Sequence, residues 1–240
     1  MCLADALKVI IAAAGNSSRM GSEIEVNKPY IKLKGKPILT YSLGFFDAIT
    51  WVDEVIIMAA PEEVEYCQQA IVKKYGYQKV TAVLPGGARR QDTIWQGLQY
   101  LSKRGSTYVA VHDGARPFLS YGVFYQLCLE AYHYGATVPG IKVKDTVKLV
   151  NEGNVVIKTP PREYLFAVQT PQVFHFERIY QAYERALHEN FYGTDDAGLY
   201  ERYIGPVRLV ESERDNLKIT TPLDLILAEQ VAEKVNRGEW

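Results

Sequence analysis

This sequence has few cysteines and no closely spaced histidines. Its three cysteines, Cys2, Cys67 and Cys128, are far apart in a chain of 240 residues, and no C-x-x-C pair is present. Such sparse thiols argue against a disulfide framework and predict a reducing, cytoplasmic environment. The four histidines have no metal-ligand spacing, so we expect no structural zinc site.

The chain also lacks an excess of charge and a long hydrophobic run. Its 27 Lys and Arg residues nearly balance 28 Asp and Glu residues, which gives a net charge of -1 at pH 7. We therefore expect neither nucleic acid nor a membrane as a partner. No apolar run approaches the ~18 residues of a membrane span, and the first residues, which include Asp5, are too few for a signal peptide. A hydrophobic content of 48% fits one domain, residues 1–240.

Short apolar runs rich in β-branched residues alternate with amphipathic patterns. Their continuous apolarity predicts strands that are buried on both faces. The predicted strands cover residues 9–12, 55–58, 80–84, 108–111 and 207–210. Helix starts are predicted at Asp92, at Ser120 and at Thr221, which Pro222 follows. The alternation predicts an α/β fold, a Rossmann-like, doubly wound, mostly parallel sheet with helices on both faces, whose ligands bind at the carboxyl ends of the strands.

One segment departs from this alternation. Residues 142–150 alternate with period two, residues 151–154 have the chemistry of a turn, and residues 155–158 return as a strand. The pattern predicts a protruding β-hairpin arm, inserted in the domain at about residues 142–164. Because an isolated hairpin is only marginally stable in water, we expect it to pack against a second subunit. The alternative is an edge hairpin on the main sheet.

Two glycine motifs that bind nucleotides are also missing. The loop after the first predicted strand has glycine only at Gly15 and Gly21, so it matches neither the G-x-G-x-x-G fingerprint nor a Walker loop. Its small residues still let backbone N–H groups approach a phosphate, and Arg19 and Lys28 can neutralise the charge. The alternative is an ordinary strand-to-helix turn with a solvated Arg19.

Three later loops carry polar chemistry. Residues 86–93, with paired glycines, allow a flat base to approach the backbone. Asp113 follows a predicted strand and can hold a divalent cation or a ribose hydroxyl, and Arg116 beside it can hold a phosphate. Lys218 precedes the last predicted helix, where an anion is favoured. The plain alternatives are a capped helix at Asp92, a structural Asp–Arg pair and a solvated lysine.

Five segments occur in a fixed order along the chain. They read A-A-A-G…R-M with Lys28-Pro29, G-G…R-Q-D-T, H-D-G-A-R-P-F, Q-T-P-Q and N-L-K-I-T-T-P-x-D. Together they resemble the 2-C-methyl-D-erythritol 4-phosphate cytidylyltransferases, a family of glycosyltransferase-A-like nucleotidyltransferases, over roughly residues 7–232. The resemblance implies transfer of CMP from CTP to 2-C-methyl-D-erythritol 4-phosphate, which gives 4-diphosphocytidyl-2-C-methyl-D-erythritol and pyrophosphate for non-mevalonate isoprenoid synthesis. It also implies Mg²⁺, or another divalent cation, as cofactor.

The resemblance implies roles for individual residues as well. The catalytic residues would be Arg19, Lys28 and Lys218. The residues that contact CTP would be Ala13, Ala14, Gly15, Asn16, Ser17, Gly87, Asp92, Thr93, Asp113 and Gly114. The residues that contact the polyol phosphate would be Arg116, Thr146, Arg162, Thr170, Thr194 and Lys218. No residue would be a dedicated metal ligand, because the phosphates of CTP would hold the cation.

Members of the family are homodimers with interlocking β-arms, so the resemblance implies that Thr146 and Arg162 reach the partner's active site. The chain departs from the family at two positions. Ser17 stands where a second glycine is common, which puts the geometry of that loop in question. Thr93 stands where serine is frequent, and it keeps the hydroxyl.

Three other functions are open at this point. The nearest is a cytidylyltransferase for another polyol phosphate, such as ribitol 5-phosphate, although the H-D-G-A-R segment looks more like the methylerythritol branch. An NAD-dependent oxidoreductase is disfavoured by the missing fingerprint. A non-catalytic binding module is disfavoured because Arg19, Lys28, Asp113 and Lys218 are all retained. No general base is needed for cytidylyl transfer, because the attacking phosphate has a second pKa of about 6.

Overall fold

Strands and helices alternate through the residues that the structure describes. The computed structural model describes residues 6–15 and 27–236. The strands in them are β1 (Leu7–Ala13), β2 (Lys32–Leu33), β3 (Lys36–Pro37), β4 (Val52–Ala59), β5 (Val80–Pro85), β6 (Tyr108–Asp113), β7 (Ala136–Lys142), β8 (Leu149–Val150), β9 (Val156–Lys158), β10 (Phe166–Val168), β11 (Gln172–His175) and β12 (Arg208–Glu211). The α-helices are α1 (Ile38–Ala48), α2 (Val64–Tyr66), α3 (Arg90–Ser102), α4 (Tyr121–Tyr134), α5 (Phe176–His188), α6 (Asp196–Tyr203) and α7 (Pro222–Asn236).

The central sheet has eight strands. Seven follow the order β10-β7-β11-β6-β1-β4-β5, and β12 pairs with β7. The block β6-β1-β4-β5 is parallel, as predicted, whereas β11 and β10 add antiparallel strands at the other end. The parallel block places the carboxyl ends of four strands at one edge, which is where ligands bind in sheets of this class.

Helices cover both faces of the sheet, as the continuous apolar runs predict. Successive residues of β1 point to opposite faces, so Val9 packs with α1 and α4, whereas Ile10 packs with α3, α5 and α6. A third apolar cluster joins Leu33 and Ile38 to Ile219 and α7. This cluster fixes the backbone next to Lys218 against the rest of the domain.

Two of the three predicted helix starts are correct. Ser120 Oγ accepts a hydrogen bond from Val123 N–H, so Ser120 caps α4. Thr221 Oγ1 accepts from Asp224 N–H (3.3 Å) at the start of α7. The predicted cap at Asp92 is wrong, because α3 begins two residues earlier. Asp92 lies in the first turn, and its carboxylate accepts from Arg89 N–H (3.1 Å).

The predicted hairpin arm is present, but its two strands are shorter than the sequence pattern indicates. Only β8 and β9 pair, as a separate two-stranded sheet, and they join no strand of the central sheet in the described part of the chain. Lys142, predicted to begin the arm, instead ends β7. The arm carries exposed apolar side chains, and Val155 and Ile157 are 63% and 62% exposed. An apolar surface of this kind is typical of a region that contacts another protein surface.

Strand β7 was not predicted from the sequence. Pro139 and Gly140 interrupt its apolar run, and both are unfavourable inside a strand. Tertiary pairing overrides this local preference, because β7 pairs with β10, β11 and β12. Among the described helices, none is both long and apolar enough to cross a membrane.

Candidate active site

A cleft of about 550 Å³ opens at the carboxyl ends of β1, β4, β5 and β6. The described residues that line it are Ala12, Ala13, Ala14, Gly15, Lys28, Pro29, Ala60, Pro61, Glu62, Gly86, Gly87, Ala88, Arg89, Arg90, Thr93, Asp113, Ala115, Lys218, Ile219 and Thr220. Four of these side chains are cationic and two are carboxylates. The cleft therefore favours an anionic ligand.

One wall of the cleft is made of small residues that pack closely. A Cβ atom added to Gly86 would lie 2.4 Å from Ala14 Cβ, a distance at which one of the two loops has to move. A Cβ at Gly87 would lie 2.6 Å from Asp92 Cβ. Glycine at both positions therefore allows the loop after β5 to pack against the loop after β1 and against α3.

If the nucleotide is CTP, as the sequence resemblance implies, we expect Gly86→Ala to raise its KM about tenfold, the equivalent of about 1.4 kcal/mol, because overpacking displaces one of two loops that line the cleft. Gly44→Ala is the matched control, since Gly44 lies on the exposed side of α1 and a Cβ added there would meet open space. The control should keep KM and leave the melting temperature equal or higher. Initial rates and thermal melts measure both. An unchanged KM in Gly86→Ala would show that this packing does not shape the nucleotide site.

Asp113, at the end of β6, is the centre of the charged part of the site. Its Oδ1 lies 3.2 Å from Arg90 Nε, and its Oδ2 lies 2.8 Å from Lys218 Nζ and 3.7 Å from Arg116 Nε. Burial raises the pKa of Asp113, but the Coulomb attraction of Arg90, Lys218 and Arg116 outweighs it and holds the pKa well below its usual range. Asp113 is thus a fixed anion among three cations.

A buried chain of hydrogen bonds supports the backbone at Asp113. Asp113 N–H donates to Thr170 Oγ1 (3.0 Å), and His112 Nε2 donates to the carbonyl oxygen of Arg116 (3.0 Å). Because a carbonyl can only accept, His112 Nδ1 is the acceptor that faces Thr170 Oγ1 at 3.3 Å. Burial lowers the pKa of His112 to about 4, so its imidazole is neutral at pH 7. His112 is fully buried and both of its ring nitrogens are engaged inside the protein, so it serves the structure and is unsuited to act as a general base.

Lys28 and Lys218 line the cleft from two different segments, one before β2 and the other before α7. Lys28 begins a short 3-10 helix, Lys28–Tyr30, and is only 9% exposed. Lys218 is held by its neighbour Ile219, which is fully buried and whose N–H donates to the carbonyl of Ala115 (2.9 Å). Both cations therefore have anchored backbones, which suits groups that must meet a charge at a fixed position.

The side chain of Thr93 lines the cleft, but its hydroxyl is already engaged. Gly87 N–H donates to Thr93 Oγ1 (3.0 Å), and the hydroxyl donates to the carbonyl of Arg89 (3.0 Å). Thr93 thereby fixes the loop after β5 to the first turn of α3. A contact between this hydroxyl and a base would use its one remaining lone pair.

The described residues offer few metal ligands. No group of three or more His, Cys, Asp or Glu side chains that could hold a metal is found among them. Within the described part of the chain, the carboxylates that line the cleft are Glu62 and Asp113, and Asp113 is already paired with cations. This donor set fits Mg²⁺ that is held mainly by phosphate oxygens and water, with at most one or two protein carboxylates.

The structure brings about half of the predicted site residues to the cleft. Those lining it are Ala13, Ala14, Gly15, Lys28, Gly87, Thr93, Asp113 and Lys218. Arg19, Asn16 and Ser17 lie outside the described residues, so their roles stay predictions.

The other predicted residues lie around the cleft or away from it. Gly114 packs under β1, where its N–H donates to the carbonyl of Ala12 (2.9 Å). Arg116 is buried beside Asp113, and the Thr170 hydroxyl is engaged internally, as is the Asp92 carboxylate. Thr194 is exposed next to α6, and Thr146 and Arg162 are exposed on the arm.

Two residues of the site were missed in the sequence. Arg90 donates bidentately to Asp196, through Nη1 to Oδ1 (3.0 Å) and through Nη2 to Oδ2 (2.8 Å). Asp196 is fully buried at the start of α6. The R-R-Q-D segment contained Arg90, but nothing in the local sequence indicates a partner 106 residues away.

Comparison with known protein families gives a match over almost the whole chain. A family model described as 2-C-methyl-D-erythritol 4-phosphate cytidylyltransferase matches residues 7–234. A protein of that name from Caldanaerobacter subterraneus subsp. tengcongensis is 44% identical over 223 residues, which is 93% of this chain and 97% of the relative. Another, from Alkaliphilus metalliredigens, is 42% identical over 239 residues, which is 100% of this chain and 98% of the relative.

Solved structures with the same fold carry related names. The 4-diphosphocytidyl-2C-methyl-D-erythritol synthase of Anaerococcus prevotii superposes with a TM-score of 0.85 at 31% identity, over 96% of this chain and 97% of that chain. The 2-C-methyl-D-erythritol 4-phosphate cytidylyltransferase of Thermus thermophilus gives a TM-score of 0.74 at 32% identity, over 94% of this chain and 98% of that one. The similarity thus extends from sequence to three-dimensional structure.

Proposed function

Because the chain belongs to the 2-C-methyl-D-erythritol 4-phosphate cytidylyltransferase family, we infer that it transfers CMP from CTP to 2-C-methyl-D-erythritol 4-phosphate. The products are 4-diphosphocytidyl-2-C-methyl-D-erythritol and pyrophosphate, in the non-mevalonate route to isoprenoids. The observation that carries this inference on the structural side is the cleft, whose lining combines small residues with the cations Lys28 and Lys218. Small residues suit close approach to a nucleotide, and the cations suit its phosphates.

The reaction joins two anions. A phosphate oxygen of the polyol phosphate forms a bond to the α-phosphorus of CTP, while the bond from that phosphorus to the bridging oxygen breaks and pyrophosphate leaves with the electron pair. Since the attacking phosphate is already largely ionised at neutral pH, the site needs no base. The neutral, buried His112 agrees with this requirement. Catalysis then consists of alignment and charge neutralisation.

We assign the charge neutralisation to Lys28 and Arg19 at the α-phosphate and to Lys218 on the substrate side. Asp113 has two tasks in this scheme. It keeps Lys218 in place through their 2.8 Å ion pair, and it offers a carboxylate toward the ribose side of the nucleotide. Mg²⁺ held by the phosphates of CTP would offset their charge, and Asp113 and Glu62 are the carboxylates among the described cleft residues that could contact it.

We expect kcat/KM for CTP to exceed that for UTP by at least about 10², because groups that pair with the cytosine amino group are left unpaired by uracil. The proposed base site is the loop after β5 with the first turn of α3, where Gly86, Gly87 and Thr93 line the cleft. Parallel initial-rate series with CTP, UTP and ATP measure the ratio. Equal values for CTP and UTP would refute this assignment of the base site.

A homodimer with exchanged arms is the proposed assembly. The arm has an exposed apolar surface, and Arg162 on it is exposed, with Nη1 donating to the carbonyl of Lys144 (2.6 Å). A guanidinium held in this way presents its remaining donors to a phosphate as a planar fork. In this proposal Thr146 and Arg162 complete the substrate site of the other subunit, and the enzyme acts in the cytoplasm.

Pyrophosphate release tests the proposed function. The purified chain with CTP, Mg²⁺ and 2-C-methyl-D-erythritol 4-phosphate should release pyrophosphate at a rate proportional to the enzyme concentration. Release should stop when either substrate is omitted. A chain that binds CTP but releases no pyrophosphate in the complete mixture would refute the function.

A further inference from the structure

A continuous chain of ion pairs runs from the start of α6 to Lys218. Asp196 is paired with the guanidinium fork of Arg90 at 3.0 and 2.8 Å. Arg90 Nε lies 3.2 Å from Asp113 Oδ1, and Lys218 Nζ lies 2.8 Å from Asp113 Oδ2. The outer end of this chain, Asp196, is fully buried and lies outside the cleft lining.

Asp196 is free from the usual duty of an acidic residue at a helix start. The adjacent Asp195 caps α6, because its Oδ1 accepts from Gly198 N–H (2.9 Å). The carboxylate of Asp196 instead receives Arg90 and the hydroxyl of Tyr183, which is itself buried. A capping role therefore does not explain why a charge is buried here.

The geometry of Arg90 explains what the buried charge does. A guanidinium is planar and presents its donors in a fixed fork. One N–H on each Nη is directed at Asp196, and Nε is the atom that donates to Asp113. One oxygen of Asp113 then meets Arg90, and the other meets Lys218. Without Asp196, the fork of Arg90 could turn onto both oxygens of Asp113 or into the cleft.

We propose that Asp196 is a positioning residue, which acts through Arg90 to hold Asp113 and Lys218 in the geometry used for cytidylyl transfer. The proposal rests on the proposed function. Tyr183 assists by fixing the Asp196 carboxylate. None of these outer groups touches the substrate in this scheme. They act through Asp113 on Lys218, which is proposed to neutralise charge on the substrate side, so their effect should be larger on turnover than on nucleotide affinity.

Asp196→Asn is therefore expected to lower kcat about tenfold or more, because misplacement of a catalytic group is costly. KM for CTP should change by less than about threefold, because loss of an interaction made mainly in the transition state lowers kcat and spares ground-state binding. Glu54→Gln is the matched control, because Glu54 is also buried and paired with two cations, Lys8 (2.9 Å) and Arg104 (2.8 Å). Glu54 pairs with Lys8 near the amino ends of β4 and β1, whereas the cleft lies at the carboxyl ends of these strands. The control should lower the melting temperature and keep kcat per folded molecule.

A double variant separates positioning from stability. Arg90→Met alone leaves Asp196 buried without its cation, and we expect it to melt at a lower temperature. Arg90→Met with Asp196→Asn removes both charges, so the melting temperature should recover, whereas kcat should stay low. Active-site concentration is set by calorimetric titration with CTP. Tyr183→Phe, which removes one hydrogen bond and keeps the ring, repeats the test with a milder change and a kcat loss of about two- to fivefold.

The outcomes are distinct. Low kcat in the double variant, despite a recovered melting temperature, supports the proposal. Wild-type kcat in Asp196→Asn, or recovery of both quantities in the double variant, overturns it. If Asp196→Asn does not fold, wild-type kcat in Tyr183→Phe together with recovered kcat in the double variant overturns it equally. Absence of pyrophosphate release by the wild-type chain refutes the proposed function first, and this inference with it.

Discussion

Lys28→Ala is expected to transfer CMP about 10² to 10³ times more slowly than the wild-type chain, at nearly the same KM for CTP. Lys28 lies in the cleft and is only 9% exposed, so its charge acts in a region with little water to screen it. Charge concentrates on the oxygens around the α-phosphorus as the new bond forms. A cation at that place stabilises the transition state more than it stabilises bound CTP.

The measurement is the initial rate of pyrophosphate release at saturating CTP and acceptor, together with a CTP titration. Lys32→Ala is the matched control, because Lys32 is a nearby lysine that is exposed in β2. It should keep the wild-type kcat. Arg19→Ala is expected to behave like Lys28→Ala, although Arg19 lies outside the described residues. If Lys28→Ala turned over at the wild-type rate, the catalytic role of Lys28 would be refuted.

The second large effect is expected when two inactive variants are mixed. Arg162→Ala should raise KM for the polyol phosphate and spare CTP binding, because its fork is proposed to hold the phosphate. If the arms are exchanged, a dimer of Lys28→Ala and Arg162→Ala subunits has one site with both defects and one intact site. Random exchange makes half of the dimers mixed, so about a quarter of all sites should regain activity.

The mixing experiment is run with the polyol phosphate well below the KM of Arg162→Ala, so that each parent variant is nearly inactive. Subunit exchange is verified by native mass spectrometry of differently tagged chains. Lys158→Ala, at an exposed position of the arm, serves in place of Arg162→Ala as the control and should be active by itself. If proven mixed dimers gained no activity, Arg162 would serve its own subunit.

Much of the fold could be predicted from the sequence because the relevant signals are local. The apolar runs of β1, β4, β5 and β6 and the caps at Ser120 and Thr221 were predicted correctly. Strand β7 was missed because Pro139 and Gly140 obscure it, and its pairing with three strands is a tertiary effect. Asp92 was placed at the wrong position of α3 because an acidic residue suits both the cap and the first turn.

The site shows the same division between local and distant information. The family resemblance, confirmed by the match over residues 7–234, indicated Asp113, Lys28 and Lys218, which lie on loops with recognisable motifs. The sequence could not show that Asp113 is held by Arg90, or that Arg90 is held by Asp196. These partners meet only when the sheet, α3 and α6 have come together. Likewise, the resemblance implied that Thr93 contacts CTP, but the sequence could not show that its hydroxyl also binds the Gly87 N–H and the Arg89 carbonyl.

A competition between two acceptors tests the proposed activity most directly. The chain is incubated with CTP, Mg²⁺ and equal concentrations of 2-C-methyl-D-erythritol 4-phosphate and ribitol 5-phosphate, and the early products are quantified by mass spectrometry. We expect 4-diphosphocytidyl-2-C-methyl-D-erythritol to form in large excess, together with an equimolar amount of pyrophosphate. Preferential formation of CDP-ribitol, or of neither product by a chain that binds CTP, would contradict it.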